Sequence, residues 1–193
     1  LVNYTSEYIT EEPDAVVPHV RICVGAVQVT GRSTMTAVIM IEQRISIVMG
    51  LWAEGYFTDS EVISWADKQI IEIEGDIYDP LIELSLKGPK VCVKKASYDF
   101  PDRMEFSYQQ RFAIRLMRLD LSVRSDVRKF ISWVASNAMG EDSKSPEVMF
   151  GYHLDHYLDY DEIDPEIYFE RNIQEYIDSS ETLVRSLLQR ANA

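Results

Sequence analysis

At 193 residues the chain is long enough for one domain with a sizeable core, since a domain of this size buries roughly 70% of the surface its unfolded chain exposes, and a second domain is not expected. Hydrophobic residues at 46% and aromatics at 11% exclude disorder even at a net charge of -13. No uninterrupted apolar run of about 18 residues exists to span a membrane, because the most hydrophobic stretch, Thr36 to Trp52, carries Glu42, Gln43 and Arg44.

In chain order, residues 1–34 read as an N-terminal extension with poor helix periodicity, in which Val20 to Thr30 alternates briefly enough to form a short strand or nothing persistent. The opening residue is Leu1, which suggests a fragment, a rare start codon or an upstream extension, with Met35 as an alternative start. No leader with a basic start, an apolar middle and a small-residue cleavage site is read there. From Met35 the pattern turns helical, and residues 35–193 form the expected domain. Val38, Ile41, Ile45, Val48 and Trp52 recur every three or four residues, with Gly55 as a stop.

Thr58-Asp59-Ser60-Glu61 spells a capping box, so a helix starts here, carries Val62, Trp65, Ala66, Gln69 and Ile70, and ends at Gly75. Asp79-Pro80 reads as an N-cap followed by proline at the first helical position, opening Leu81 to Leu86, which Gly88-Pro89 closes. Val91 to Val93 reads as briefly extended. The spacing of Phe106, Phe112, Ala113, Leu116 and Leu119 predicts a helix from about Asp102 to Asp120, with Arg111, Arg115 and Arg118 along another edge. Ser125 is the expected cap of a helix bearing Val127, Phe130, Ile131 and Val134 and ending near Gly140. Ser145-Pro146-Glu147 and Asp164-Pro165-Glu166 repeat one start signal, and the last helix is expected to run from Pro165 to about Arg190 on Ile167, Ile173, Ile177, Val184, Leu187 and Leu188. The expected fold is therefore mainly α, six or seven helices in a single bundle-like domain. Trp52, Trp65 and Trp133 fall within apolar stripes and read as core.

The charge is patterned. Glu42 to Glu83 holds ten acids and two bases, Glu141 to Asp178 twelve acids and two bases, while Pro89 to Lys129 between them holds ten bases and five acids. Such a field repels phosphate backbones and attracts basic partners, so nucleic acid is not expected as a ligand. The basic middle can fold against the acid blocks and mute them, or leave the last block free.

Catalytic signatures are sparse. GxSxG, GxxxxGK[ST] and GxGxxG are all absent, and no cofactor is expected. His153 and His156 share a helix face at metal-ligand spacing, with Asp159 one turn on, but lack the general-base Glu and the spacing of HExxH. A polar helix face beside Tyr152 and Tyr157 is the expected reading. The run Asp159 to Glu166 is rich in carboxylates yet lacks the glycine and distal Glu of an EF-hand loop, and carboxylate separation for glycoside hydrolysis is invisible in a sequence. Cys23 and Cys92 are too few for a disulfide scaffold and read as free thiols in a reducing cytoplasm. Cys92 lies between Lys90 and Lys94, an arrangement that can lower a thiol pKa, but a buried, idle thiol is the expected reading.

One segment goes beyond generic pattern: Leu51 to Leu86, LWAEGYFTDSEVISWADKQIIEIEGDIYDPLIELSL, about a fifth of the chain. Its helix, Gly-Tyr-Phe turn, capped EVISWAD helix and Pro-led LIELSL helix resemble bacterial immunity proteins, the cognate inhibitors of polymorphic or contact-dependent toxins. The resemblance implies a cytoplasmic protein that binds one toxin domain and blocks it, without chemistry of its own. A basic nuclease toxin would suit the acidic charge, which speeds encounter and gives electrostatic complementarity. For such a partner the expected contact residues are Asp155, Asp159, Asp161, Glu162, Asp164 and Glu166, with Tyr157 and Tyr160 as anchors. The alternatives are a metal-dependent hydrolase using His153, His156 and nearby carboxylates, and a helical adaptor or regulatory subunit.

Overall fold

A computed structural model describes residues 33–73, 76–94, 100–160 and 163–193. Residues 1–32 of the N-terminal extension, with its strand reading and Cys23, and also Gly75, Asp161 and Glu162, lie outside the described residues, whereas the extension's last two residues, Ser33 and Thr34, belong to the first helix. Within them the chain is all helical: α1 (Ser33–Ala53), α2 (Asp59–Glu72), α3 (Asp79–Lys87), α4 (Pro89–Lys94), α5 (Tyr108–Leu116), α6 (Arg124–Ala138), α7 (Pro146–Asp159), α8 (Pro165–Asn172) and α9 (Gln174–Asn192). None of these helices is long and apolar enough to cross a membrane.

α1 is the central element of the first half. From Ile45 to Leu51 it is buried on nearly every side, with Ile45, Ile47, Val48, Met49 and Leu51 at most 3% exposed, which is the pattern of a helix surrounded by others. Val38, expected in its core stripe, is instead exposed near the helix start, beside Ile39 and Met40. The capping box forms as the sequence indicates: the Glu61 amide donates to Thr58 Oγ1 at 3.2 Å and the Thr58 amide to Glu61 Oε2 at 2.7 Å. α2 then packs on α3, and Val62, Ala66, Leu81 and Leu84 close over α1 in one aliphatic cluster.

Several boundaries differ from the sequence reading, each for a local reason. Tyr78 takes the N-cap position of α3, and Pro80 comes second in the helix, a shift of one residue from the expected Asp79 cap. Val91 to Val93 is helical rather than extended. The Cys92 amide donates to Gly88 O at 3.2 Å, and a six-residue helix is too short to show a period. The helix expected from Asp102 starts only at Tyr108, because Ser107 and Gln110 form a second capping box, Gln110 Oε1 accepting from the Ser107 amide at 2.9 Å.

Residues 101–107 instead form a strap across α1. The Met104 amide donates to Ser46 O at 2.8 Å, and the strap lies so close at Gly50 that a Cβ there would sit 2.6 Å from Met104 O. The start of α6 moves to Arg124, capped in position by Val123 rather than Ser125, because Asp120 accepts from the Ser122 amide and hydroxyl and turns the chain early. The expected long last helix is two, joined at Ile173, where the Tyr176 amide reaches back only three residues to Ile173 O. That junction and the unforeseen α4 account for nine described helices where six or seven were expected.

The second half is built on aromatics. Phe112 from α5 meets Phe130 from α6, Phe150 from α7 and Tyr176 from α9, with ring centroids 5.5 to 6.1 Å apart. α6 and α7 make the most extensive helix pair. They approach at Gly151, where a Cβ would fall 2.5 Å from the Ala138 Cβ and 3.0 Å from Val134 O. The three tryptophans lie at the margins of these clusters, half-buried with their polar or charged neighbours satisfied. Trp52 donates to Asp59 at 2.9 Å and Trp65 to Asn192 at 3.2 Å, while Trp133 stacks on Tyr108 beneath the Arg115 guanidinium.

Candidate functional site

The described residues among those picked from the sequence lie at the corner where α7 ends and α8 begins, and the fold gives them different roles. Glu166 is spent internally. Its side chain is only 14% exposed and is gripped by both Arg124 and Arg128 of α6, which hold its carboxyl below the usual range, Arg128 first. Asp164 is spent locally, its carboxylate accepting from the Glu166 amide at 2.9 Å to cap α8. Asp155, Asp159 and Tyr160 remain at the surface, Asp155 half-buried, Asp159 exposed and Tyr160 58% exposed.

Tyr157 faces inward as well as outward. Its ring sits 4.8 Å from that of Tyr168, which in turn stacks on Phe150 in the aromatic core. His156 lies between Tyr157 and Tyr160, with centroids 5.5 and 4.7 Å away. The corner is thus anchored by rings from beneath while its outer rings stay accessible. Sequence reasoning missed three apolar members of this surface: Leu158, Ile163 and Ile167 are 46%, 37% and 43% exposed. Ile167 was expected in the core stripe of the last helix, but Phe169 and Ile173 take the inward positions of α8. The available signal was Ile163, an apolar residue set within an acidic run.

The histidines do not assemble a metal centre with the residues described. His153 Nδ1 is hydrogen-bonded to Tyr168 Oη at 2.7 Å. Among the described residues no three His, Cys, Asp or Glu side chains stand close enough to hold one ion. No observation therefore favours the hydrolase reading. Cys92 is 2% exposed, and burial pushes its thiol up, in line with the buried, idle thiol expected and against activation by Lys90 and Lys94. Lys90 is directed instead to Asp59, at 3.0 Å.

The basic middle does fold against the acid blocks. Along α5 and the turn that follows it, Arg115 pairs with Glu54 at 2.9 Å, Arg118 with Glu61 at 3.8 Å and Arg111 with Glu141 at 3.3 Å, so the arginine edge is consumed by carboxylates from both blocks. Exposed pairs of this kind contribute little stability each, but they determine where negative charge is left over. Asp155 and Asp159 make no ion pair among the described residues, so the surplus persists at the α7–α8 corner. No protein-family model matches this chain, and neither does any curated protein or solved structure.

Proposed function

We propose that the protein binds and blocks a basic protein partner through the α7–α8 corner, the role of the cytoplasmic toxin-neutralising immunity proteins that Leu51 to Leu86 resembles. The observation that carries this reading is the exposure of Leu158, Tyr160, Ile163 and Ile167 beside Asp155 and Asp159, which make no ion pair among the described residues, on a corner buttressed by the rings of Tyr157, Tyr168 and Phe150. Protein interfaces concentrate affinity in a few aromatic and apolar anchors, with charge at the rim setting encounter rate and partner choice. An apolar centre with an acidic rim selects a partner carrying lysines and arginines around its own apolar contact. A nuclease toxin has such a surface where it binds its substrate, and covering it would block access without any chemistry.

The test is co-expression with the product of the neighbouring gene, scored for toxicity and its rescue. Tyr160→Ala with Ile163→Ser is expected to abolish protection and weaken binding by roughly a hundredfold, in line with anchor truncations of 2 kcal/mol or more. Asp155→Asn with Asp159→Asn is expected to slow association and reduce its salt dependence, with a smaller effect on dissociation. Full protection by a folded Tyr160→Ala, Ile163→Ser variant would remove the corner as the interface.

A further inference from the structure

A cleft of about 1320 Å³ opens between α1, the start of α3 and the strap over residues 101–107, on the opposite core cluster from the α7–α8 corner. Its apolar lining includes Ile39, Ile47, Phe100 and Met104, and Ile39 is 49% exposed. Its polar lining includes four carboxylates, Glu42, Asp79, Glu83 and Asp102, against the single base Arg190. Two contacts fix the walls: the strap is pinned by the Met104 amide on Ser46 O, and Tyr78 Oη donates to Glu42 at 2.7 Å. Glu83 pairs with Lys87 along α3, whereas Asp79 and Asp102 are exposed and make no ion pair among the described residues.

We propose that this cleft seats an extended lysine- or arginine-bearing segment of a partner protein, its apolar side chains on Ile39 and Phe100 and its cations on the carboxylate rim. Charge decides the occupant. An anionic or purely apolar segment would strip water from Asp79 and Asp102 and leave them unpaired, an expensive outcome, whereas a cationic one exchanges their hydration for charge-assisted hydrogen bonds. The proposal rests on reading the protein as a binder of basic partners, and it adds a second contact surface remote from the corner.

The test needs no natural partner. A short fluorescein-labelled peptide of alternating lysine and leucine is titrated into the whole chain by anisotropy, at low and physiological salt. Asp79→Asn, Glu83→Gln, Asp102→Asn together are expected to weaken binding about tenfold, and Ile39→Ser by several-fold. A matched variant removing the same charge elsewhere, Glu170→Gln, Glu175→Gln, Asp178→Asn, is expected to stay within about twofold. Circular dichroism confirms that each variant is folded. Absence of peptide binding to the wild type, equal weakening by both charge variants, or an unaffected Ile39→Ser would each overturn the cleft assignment. Because the corner residues are unchanged throughout, protection from the toxin can persist when this proposal fails.

Discussion

The two halves of the molecule solve the same packing problem with different side chains. Around α1 the core is largely aliphatic, with branched residues of α2, α3 and the end of α9 interlocking over the buried stretch from Ile45 to Leu51. Around α6 to α8 it is aromatic, and Phe112 of α5 sits where rings from three other helices meet. The difference teaches that rigidity has been placed beneath the candidate interface: large flat groups fill space with few rotamers and fix the corner that carries Tyr157 and Tyr160. The comparison breaks most sharply at Phe112. Phe112→Ala is expected to lower unfolding free energy by roughly 3–5 kcal/mol, measured by urea denaturation, whereas Ile45→Val in the aliphatic half costs about 0.5–1.5 kcal/mol. Similar losses at the two positions would show that the ring cluster is not the stiffer half.

A smaller change sharpens the same contrast. Gly151 has no room for a side chain, its Cβ position falling 2.5 Å from Ala138 and 3.0 Å from Tyr108 Oη. Gly151→Ala would therefore force α7 away from α6 despite alanine's better helix propensity, at a loss of about 1–3 kcal/mol. The displaced α7 carries the corner, so partner binding should weaken along with stability. If Gly151→Ala instead stabilises the fold, helix propensity has prevailed and the α6–α7 contact is more yielding than the geometry indicates.

Most of the helical architecture was legible because its signals are local. Thr58 with Glu61, Pro146, and Asp164 with Pro165 each announce a helix start through backbone groups that must be satisfied within a few residues. Ser107 with Gln110 carries the same signal, but the apolar spacing runs on through it and extends the expected helix across a strap that is held by α1, a contact no local pattern contains. The candidate site was legible only in part, for a related reason. Sequence shows that Asp155, Asp159, Asp164 and Glu166 are acidic and close along the chain, but not which of them a distant arginine or a nearby amide has claimed. Leu158, Ile163 and Ile167 were hidden because exposure is a property of the packed helices, and spacing alone sends Ile167 inward.

The finest distinction between the two fates of acidic residues at the corner is pH. Arg128 and then Arg124 stabilise the charged form of Glu166 and hold its pKa below the ordinary glutamate value, which is about 4.3 in an unfolded chain. A carboxyl with a depressed folded pKa adds stability that is complete above the unfolded value and disappears as pH falls through the folded one, because the unfolded chain then binds more protons. The stability difference between wild type and Glu166→Gln should accordingly be flat from neutral pH down to about 5 and shrink toward zero on further acidification. Measuring that difference isolates Glu166 from Glu61 and Asp59, whose carboxyls are also held low, by Thr58 and by Trp52 with Lys90 respectively. The same comparison at high salt should narrow the gap, since both arginines are exposed. A difference independent of both pH and salt would show that α6 and α8 are held together by the Phe130–Phe169 ring contact alone, making the arginine grip on Glu166 incidental.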